Sequence, residues 1–109
     1  MPASYSVLQQ PITISANAVQ NRRDALEIGT QREVVVQATI LTAAGAGTLT
    51  LEHAAVNQDL QFGAVGGSVD LTVAGPRTVV ISGHLRYLRW KIAGLTGSVT
   101  FKLEVVSRS

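Results

Sequence analysis

Residues 85–92 read Leu85-Arg86-Tyr87-Leu88-Arg89-Trp90-Lys91-Ile92, and their strict alternation decides the fold class. Arg86, Leu88, Trp90 and Ile92 fall on one side, and Leu85, Tyr87, Arg89 and Lys91 on the other, which is the period of a half-buried β-strand. The buried face carries Leu88, Trp90 and Ile92. Downstream, the segment Ala93-Gly94-Leu95-Thr96-Gly97 reads as a loop. It leads to a final strand in which Val99, Phe101, Leu103 and Val105 oppose Thr100, Lys102 and Glu104. Leu88, Trp90, Ile92, Val99, Phe101 and Leu103 are therefore expected to face one another between two sheets.

Upstream the same period recurs. From Glu33, Val34, Val36, Ala38 and Ile40 alternate with Val35, Gln37, Thr39 and Leu41. After Ala43-Ala44-Gly45-Ala46-Gly47, Leu49, Leu51 and His53 oppose Thr48, Thr50 and Glu52, so the two runs predict an antiparallel hairpin. Residues 54–67 predict a loop holding one short strand around Leu60 and Phe62. Val69, Leu71 and Val73 then alternate with Asp70 and Thr72, and Gly75-Pro76 turns the chain into Arg77-Thr78-Val79-Val80-Ile81 as a neighbouring strand. Nearer the start, Ile12 and Ile14, and then Leu26 and Ile28, fit short strands in preference to a helix over 17–26. Residues 1–10 carry Tyr5, Val7 and Leu8 with no local partners, and read as an edge strand or as an arm that docks on another subunit. The expectation is one all-β domain: an antiparallel β-sandwich of jelly-roll type with about eight strands over residues 11–109, preceded by an N-terminal arm over residues 1–10.

Composition agrees with this. The chain has 109 residues, 46% hydrophobic and 15% charged, with 14 valines and 10 threonines, and β-branched residues favour strands. It contains no cysteine, which removes disulfides, thiolate metal sites and thiol nucleophiles. A formal charge of +2 is spread thinly, with a local concentration only from Arg86 to Lys91, and gives little support to nucleic-acid binding. The opening Met1-Pro2-Ala3-Ser4-Tyr5 lacks the basic and long apolar regions of a signal peptide. The uncharged stretch from Val34 to Leu51 is broken by polar and turn residues, so no membrane span is expected.

No motif announces catalysis or a cofactor. His53 and His84 lack acidic neighbours at ligand spacing and read as one packed and one solvated side chain. Ser82 and His84 sit on a turn without a third group to orient the base. The glycines at 45, 47, 63, 66 and 67 do not lead from a strand into a helix, as a phosphate loop requires. The carboxylates Asp24, Glu27, Glu33, Glu52, Asp59, Asp70 and Glu104 are scattered. Tyr87, Arg89 and Lys91 form an outward row of one aromatic and two cations, suited to a subunit contact in which Arg89 pairs across to a carboxylate, or to a solvated face.

Four segments, Asp24-Ala25-Leu26-Glu27-Ile28-Gly29, Glu33-Val34-Val35-Val36-Gln37-Ala38, Thr48-Leu49-Thr50-Leu51-Glu52-His53 and Leu85-Arg86-Tyr87-Leu88-Arg89-Trp90-Lys91, occur in an order that resembles small all-β structural proteins of tailed-phage and prophage virions. The resemblance covers residues 12–106. It implies a non-enzymatic sandwich that binds the outside of a capsid or joins the tail assembly, and it brings no active-site residues. The leading expectation is a capsid decoration or cement protein. It would be located in the virion after assembly in the host cytoplasm, and would contact the major capsid protein or other virion subunits. It would form a homo-oligomer, a trimer being one form, through Tyr5, Val7, Leu8, Tyr87, Arg89 and Lys91. The alternatives are a tail or head-completion component and, from another class, a carbohydrate- or cell-surface-binding module, against which the chain's five aromatic residues count.

Overall fold

The alternation along Glu33–Thr42 requires a partner sheet on one side only, and the structure supplies it. The computed structural model describes residues 3–28, 33–82 and 86–108. Among these, nine strands form: β1 (Ala3–Ile14), β2 (Ala18–Val19), β3 (Leu26–Glu27), β4 (Glu33–Thr42), β5 (Ala46–Ala54), β6 (Gly63–Asp70), β7 (Gly75–Ser82), β8 (Tyr87–Thr96) and β9 (Val99–Arg108). One sheet, sheet A, has the order β1-β9-β4-β7, and the other, sheet B, has β2-β8-β5-β6 with β3 also on β8. All the pairings are antiparallel.

β2 and β3 pair in turn with the same strand, Ala18 opposite Ile92 and Leu26 opposite Leu88, so they act as one strand interrupted by the 3₁₀ turn Arg22–Asp24. Counted that way there are eight strands, four in each sheet. Of the connections between them, only β5 to β6 stays within a sheet. This is the double Greek key of a jelly roll, as the strand count and spacing predict.

The core lies where the sequence places it. Leu88, Trp90 and Ile92 of β8 and Val99, Phe101 and Leu103 of β9 are all buried. Trp90 meets Phe101 edge-on, with ring centroids 5.1 Å apart and an interplanar angle of 86°, a favoured aromatic geometry. Val34, Val36, Ala38 and Ile40 of β4 and Leu49 and Leu51 of β5 complete the two inner faces.

Several expectations are corrected. The β4–β5 hairpin does not exist, because the two strands lie in opposite sheets. Their link caps the end of the sandwich, where Ala44 N donates to Leu71 O (2.9 Å) and Gly45 N to Thr96 O (3.0 Å). Around Leu60 there is a 3₁₀ turn, Asp59–Gln61, which leaves Leu60 98% exposed. The strand that follows begins at Gly63 and takes in the glycines expected to form a loop. Its register breaks opposite Thr50 and Leu51. Gly66 occupies the break at φ +70°, and a Cβ there would lie 3.0 Å from Val79 Cγ1, so the close approach of β6 to β7 needs glycine. The run through Val73 stops at Asp70, whose Oδ1 accepts from Thr72 N (2.9 Å) and Thr72 Oγ1 (2.8 Å), an Asx turn. β7 then joins the other sheet. The loop expected over 93–97 is mostly strand, since β8 runs to Thr96.

Of the two readings of the N-terminal residues, the edge strand is found and the arm is corrected, since β1 lies at the edge of sheet A. Residues from Ala3 onward are the first part of β1, which continues through Pro11 to Ile14 along β9. The partner that residues 1–10 lack locally is supplied from the far end of the chain. Leu8 is buried in the core, Leu8 O accepts from Gln20 Nε2 (2.7 Å), and Gln9 Oε1 accepts from Trp90 Nε1 (3.0 Å). Deleting residues 1–10 is therefore expected to lower unfolding free energy by about 3 kcal/mol or more, on the scale of losing a core leucine together with its neighbours' hydrogen bonds. Urea denaturation of the truncated chain checks this, and a midpoint equal to that of the full chain would restore the arm.

Candidate functional site

Alternation puts Arg89 on the outer side of β8, yet it is 7% exposed. Three groups enclose it. Glu52 stands directly opposite on β5, and Arg89 Nε donates to Glu52 Oε1 at 2.9 Å. Arg89 Nη1 donates to Asp59 Oδ1 at 2.9 Å, and the guanidinium lies over the Phe62 ring, 4.0 Å from its centroid. Glu52 shares the burial of Arg89, whereas Asp59 stays largely in water. The planar cation thus stacks on an aromatic face and holds two carboxylates at once, a task suited to arginine. Its structural effect is to bind the β5–β6 connection to the sheet.

A second clamp holds the same connection from its other side. Arg22 Nη1 donates to Asn57 O (3.1 Å) and Asn57 Nδ2 to Arg22 O (3.0 Å), while Asn21 Oδ1 caps the Arg22–Asp24 turn by accepting from Arg23 N (2.9 Å). Between the two 3₁₀ turns lies an open cleft of about 710 Å³, lined by Val19, Gln20, Asn21, Arg22, Arg23, Asp59 and Arg89. Its chemistry is hydrogen bonding and charge. No aromatic side chain is among these lining residues, and one face of the Phe62 ring is covered by the Arg89 guanidinium. Among the described residues no three histidine or carboxylate side chains gather as a metal site.

The outer face of sheet A differs in character. The registers place Tyr5 opposite Val106, Val106 opposite Val35, and Val35 opposite Val80, so one apolar side chain from each of the four strands forms a single row across the sheet. Tyr5, Val106 and Val80 are 63%, 41% and 59% exposed. Beside the row, Tyr5 Oη donates to Glu104 Oε2 at 2.6 Å, and Lys102 Nζ lies 3.4 Å from Glu104 Oε1. The bond from Tyr5 holds the Glu104 carboxyl below its usual range, with Lys102 adding to the effect. The same bond raises the Tyr5 phenol.

The residues expected at one interface are thus divided. Tyr5 and Val7 lie on the outer face of sheet A and Leu8 in the core, while Tyr87, Arg89 and Lys91 belong to sheet B. Tyr87 is half-buried with the Arg86 guanidinium 5.3 Å from its ring centroid, and Lys91 is exposed. Arg89 is paired within its own chain, which corrects its expected pairing across a subunit contact. His53 is half-buried opposite Leu88, and His84 lies outside the described residues. The Val106–Val35 neighbourhood was missed because the strands carrying it are distant in sequence. The available signal was an apolar residue at an outward parity position in β4, β7 and β9 alike.

Replacing Arg89 with alanine leaves Glu52 enclosed without its cation, and the expected loss is about 3–5 kcal/mol. Hydrogen exchange should accelerate over residues 55–62; retained stability and protection would show that the clamp carries no weight. The Tyr5–Glu104 contact has a defined pH window. A lowered carboxyl stabilises the fold above its unfolded value and loses that contribution as pH falls through the lowered one, whereas a raised phenol contributes below its ordinary value of 10.0 and loses it as pH rises through the raised one. In Tyr5→Phe, NMR titration of Glu104 should move upward towards the ordinary carboxylate range; an unmoved titration would refute the assignment.

No protein-family model matches the chain, and no curated protein sequence does. Among solved structures it is similar to the SPBc2 prophage-derived protein YomS, at TM-score 0.63 and 14% identity, over 97% of this chain and 94% of that one. It is also similar to a chain of the Bacillus endospore appendages described as a family of disulfide-linked pili, at TM-score 0.53 and 13% identity, over 100% of this chain and 93% of that one. Both likenesses are of fold.

Proposed function

We propose that this chain is a non-enzymatic structural subunit of a phage-derived particle, and that it decorates the outer shell of the head. The observation that carries this reading is the nearly end-to-end fold likeness to a prophage-derived protein, which leaves almost no part of either chain outside the shared jelly roll. The chemistry of the molecule supports it. Among the described residues the most enclosed cation, Arg89, is engaged in fastening a connection to the sheet, and a rigid sandwich is suited to mechanical contact. Each copy need contribute only modest interface energy where a symmetric shell multiplies the contacts.

The likeness to a pilus subunit favours a second reading, a subunit of a tail or other appendage. Assembly of that kind would proceed here without disulfide links, since the chain has no cysteine. The test is mass spectrometry of particles purified from a host that carries the gene, followed by immunogold electron microscopy. Label over the heads is expected. Label confined to tails would replace the first reading with the second, and absence of the chain from purified particles would overturn both.

A further inference from the structure

We infer that the outer face of sheet A is a self-association surface, on which a second copy of this chain packs face to face about a two-fold axis. The inference stands apart from the particle reading, because it rests on the face alone.

A sheet face turned to water is normally polar at alternate positions. Sheet B conforms apart from Val19 at its edge: its outer side presents Lys91, Thr50 and Thr48 and the clamped Arg89 and Glu52. Sheet A does not. Tyr5, Val106, Val35 and Val80 line up in register across all four strands, and Val7 follows two residues after Tyr5 on the same side. Contiguous exposed apolar surface of this kind marks a contact site.

Charge identifies the occupant. Lys102 and Glu104 pair with each other beside the row. The face there presents one charge of each sign at neighbouring positions. An acidic or basic partner gains nothing from it, whereas an identical face meets it without net repulsion, as an isologous contact requires. The area is adequate. Four strands about 4.8 Å apart and about ten residues long make a footprint of roughly 600 Å² per copy, about 1,200 Å² for the pair, at the lower end of specific interfaces. The edges of this sheet also direct association to the face, since β1 is broken by register shifts around Gln9 and β7, the opposite edge, carries Pro76 as its second residue.

The full chain is expected to dimerise reversibly, with a dissociation constant on the order of 10 µM, measured by sedimentation equilibrium. Val80→Lys should raise that constant at least tenfold, while Lys91→Glu, on the opposite face, should leave it unchanged. Because the native chain is free of cysteine, a second measurement is clean even if Val80→Lys is poorly folded. Under mild oxidation Val106→Cys, beside the middle of the row, should form a covalent dimer, and Lys91→Cys should not. A native chain that stays monomeric at millimolar concentration, a dimer indifferent to Val80→Lys in a folded variant, or equal cross-linking of the two cysteine variants would overturn the inference.

Discussion

The enclosure of one indole organises this molecule. Trp90 projects from the central strand of sheet B and meets Phe101 of sheet A edge-on, so the two sheets touch through their largest side chains. An indole buried in this way needs a partner for its N–H, and the partner is Gln9 of β1. The backbone around Trp90 is held by Gln20, whose N–H donates to Trp90 O and whose amide group also reaches Leu8 O. Enclosing a single ring therefore fixes the position of the first strand, the β1–β2 connection and the spacing of the sheets together.

Side-chain parity was the legible part of the sequence. It identifies β4, β8 and β9 and all six residues of the central core, because burial on one side imposes a period of two wherever a strand lies. Sheet membership was not legible. A strand shows the same alternation whether the next strand lies beside it or across the core, so β4 and β5 look like a hairpin and are in fact a crossover. Glycine misled in a related way: Gly63, Gly66 and Gly67 look like loop residues, yet all three belong to β6, and Gly66 brings its backbone against Val79. The arm misled because its pairing partner begins at Val99.

The candidate site shows the same division. That Arg89 and Glu52 both project outward follows from parity. That they stand opposite each other depends on the β5–β8 register, set by packing across residues 37 apart. Outward therefore does not mean solvated, because the β5–β6 connection folds back over Arg89 and removes it from water. The two faces consequently differ: the outer side of sheet B is polar and partly covered by its own connection, whereas that of sheet A carries one apolar row among polar side chains.

The order of strands also constrains how the chain is made. Ala3 pairs with Arg108, so the first described strand to leave the ribosome can take its place only after the last has emerged. At typical rates of synthesis that interval is on the order of ten seconds, during which β1 has no sheet to join. A topology with most of its contacts between distant segments folds slowly even once complete. Folding of this domain should thus wait for β9 and be sensitive to chaperone supply, and Gln9, Gln10 and Pro11 of β1 help keep a waiting strand from pairing with the wrong chain.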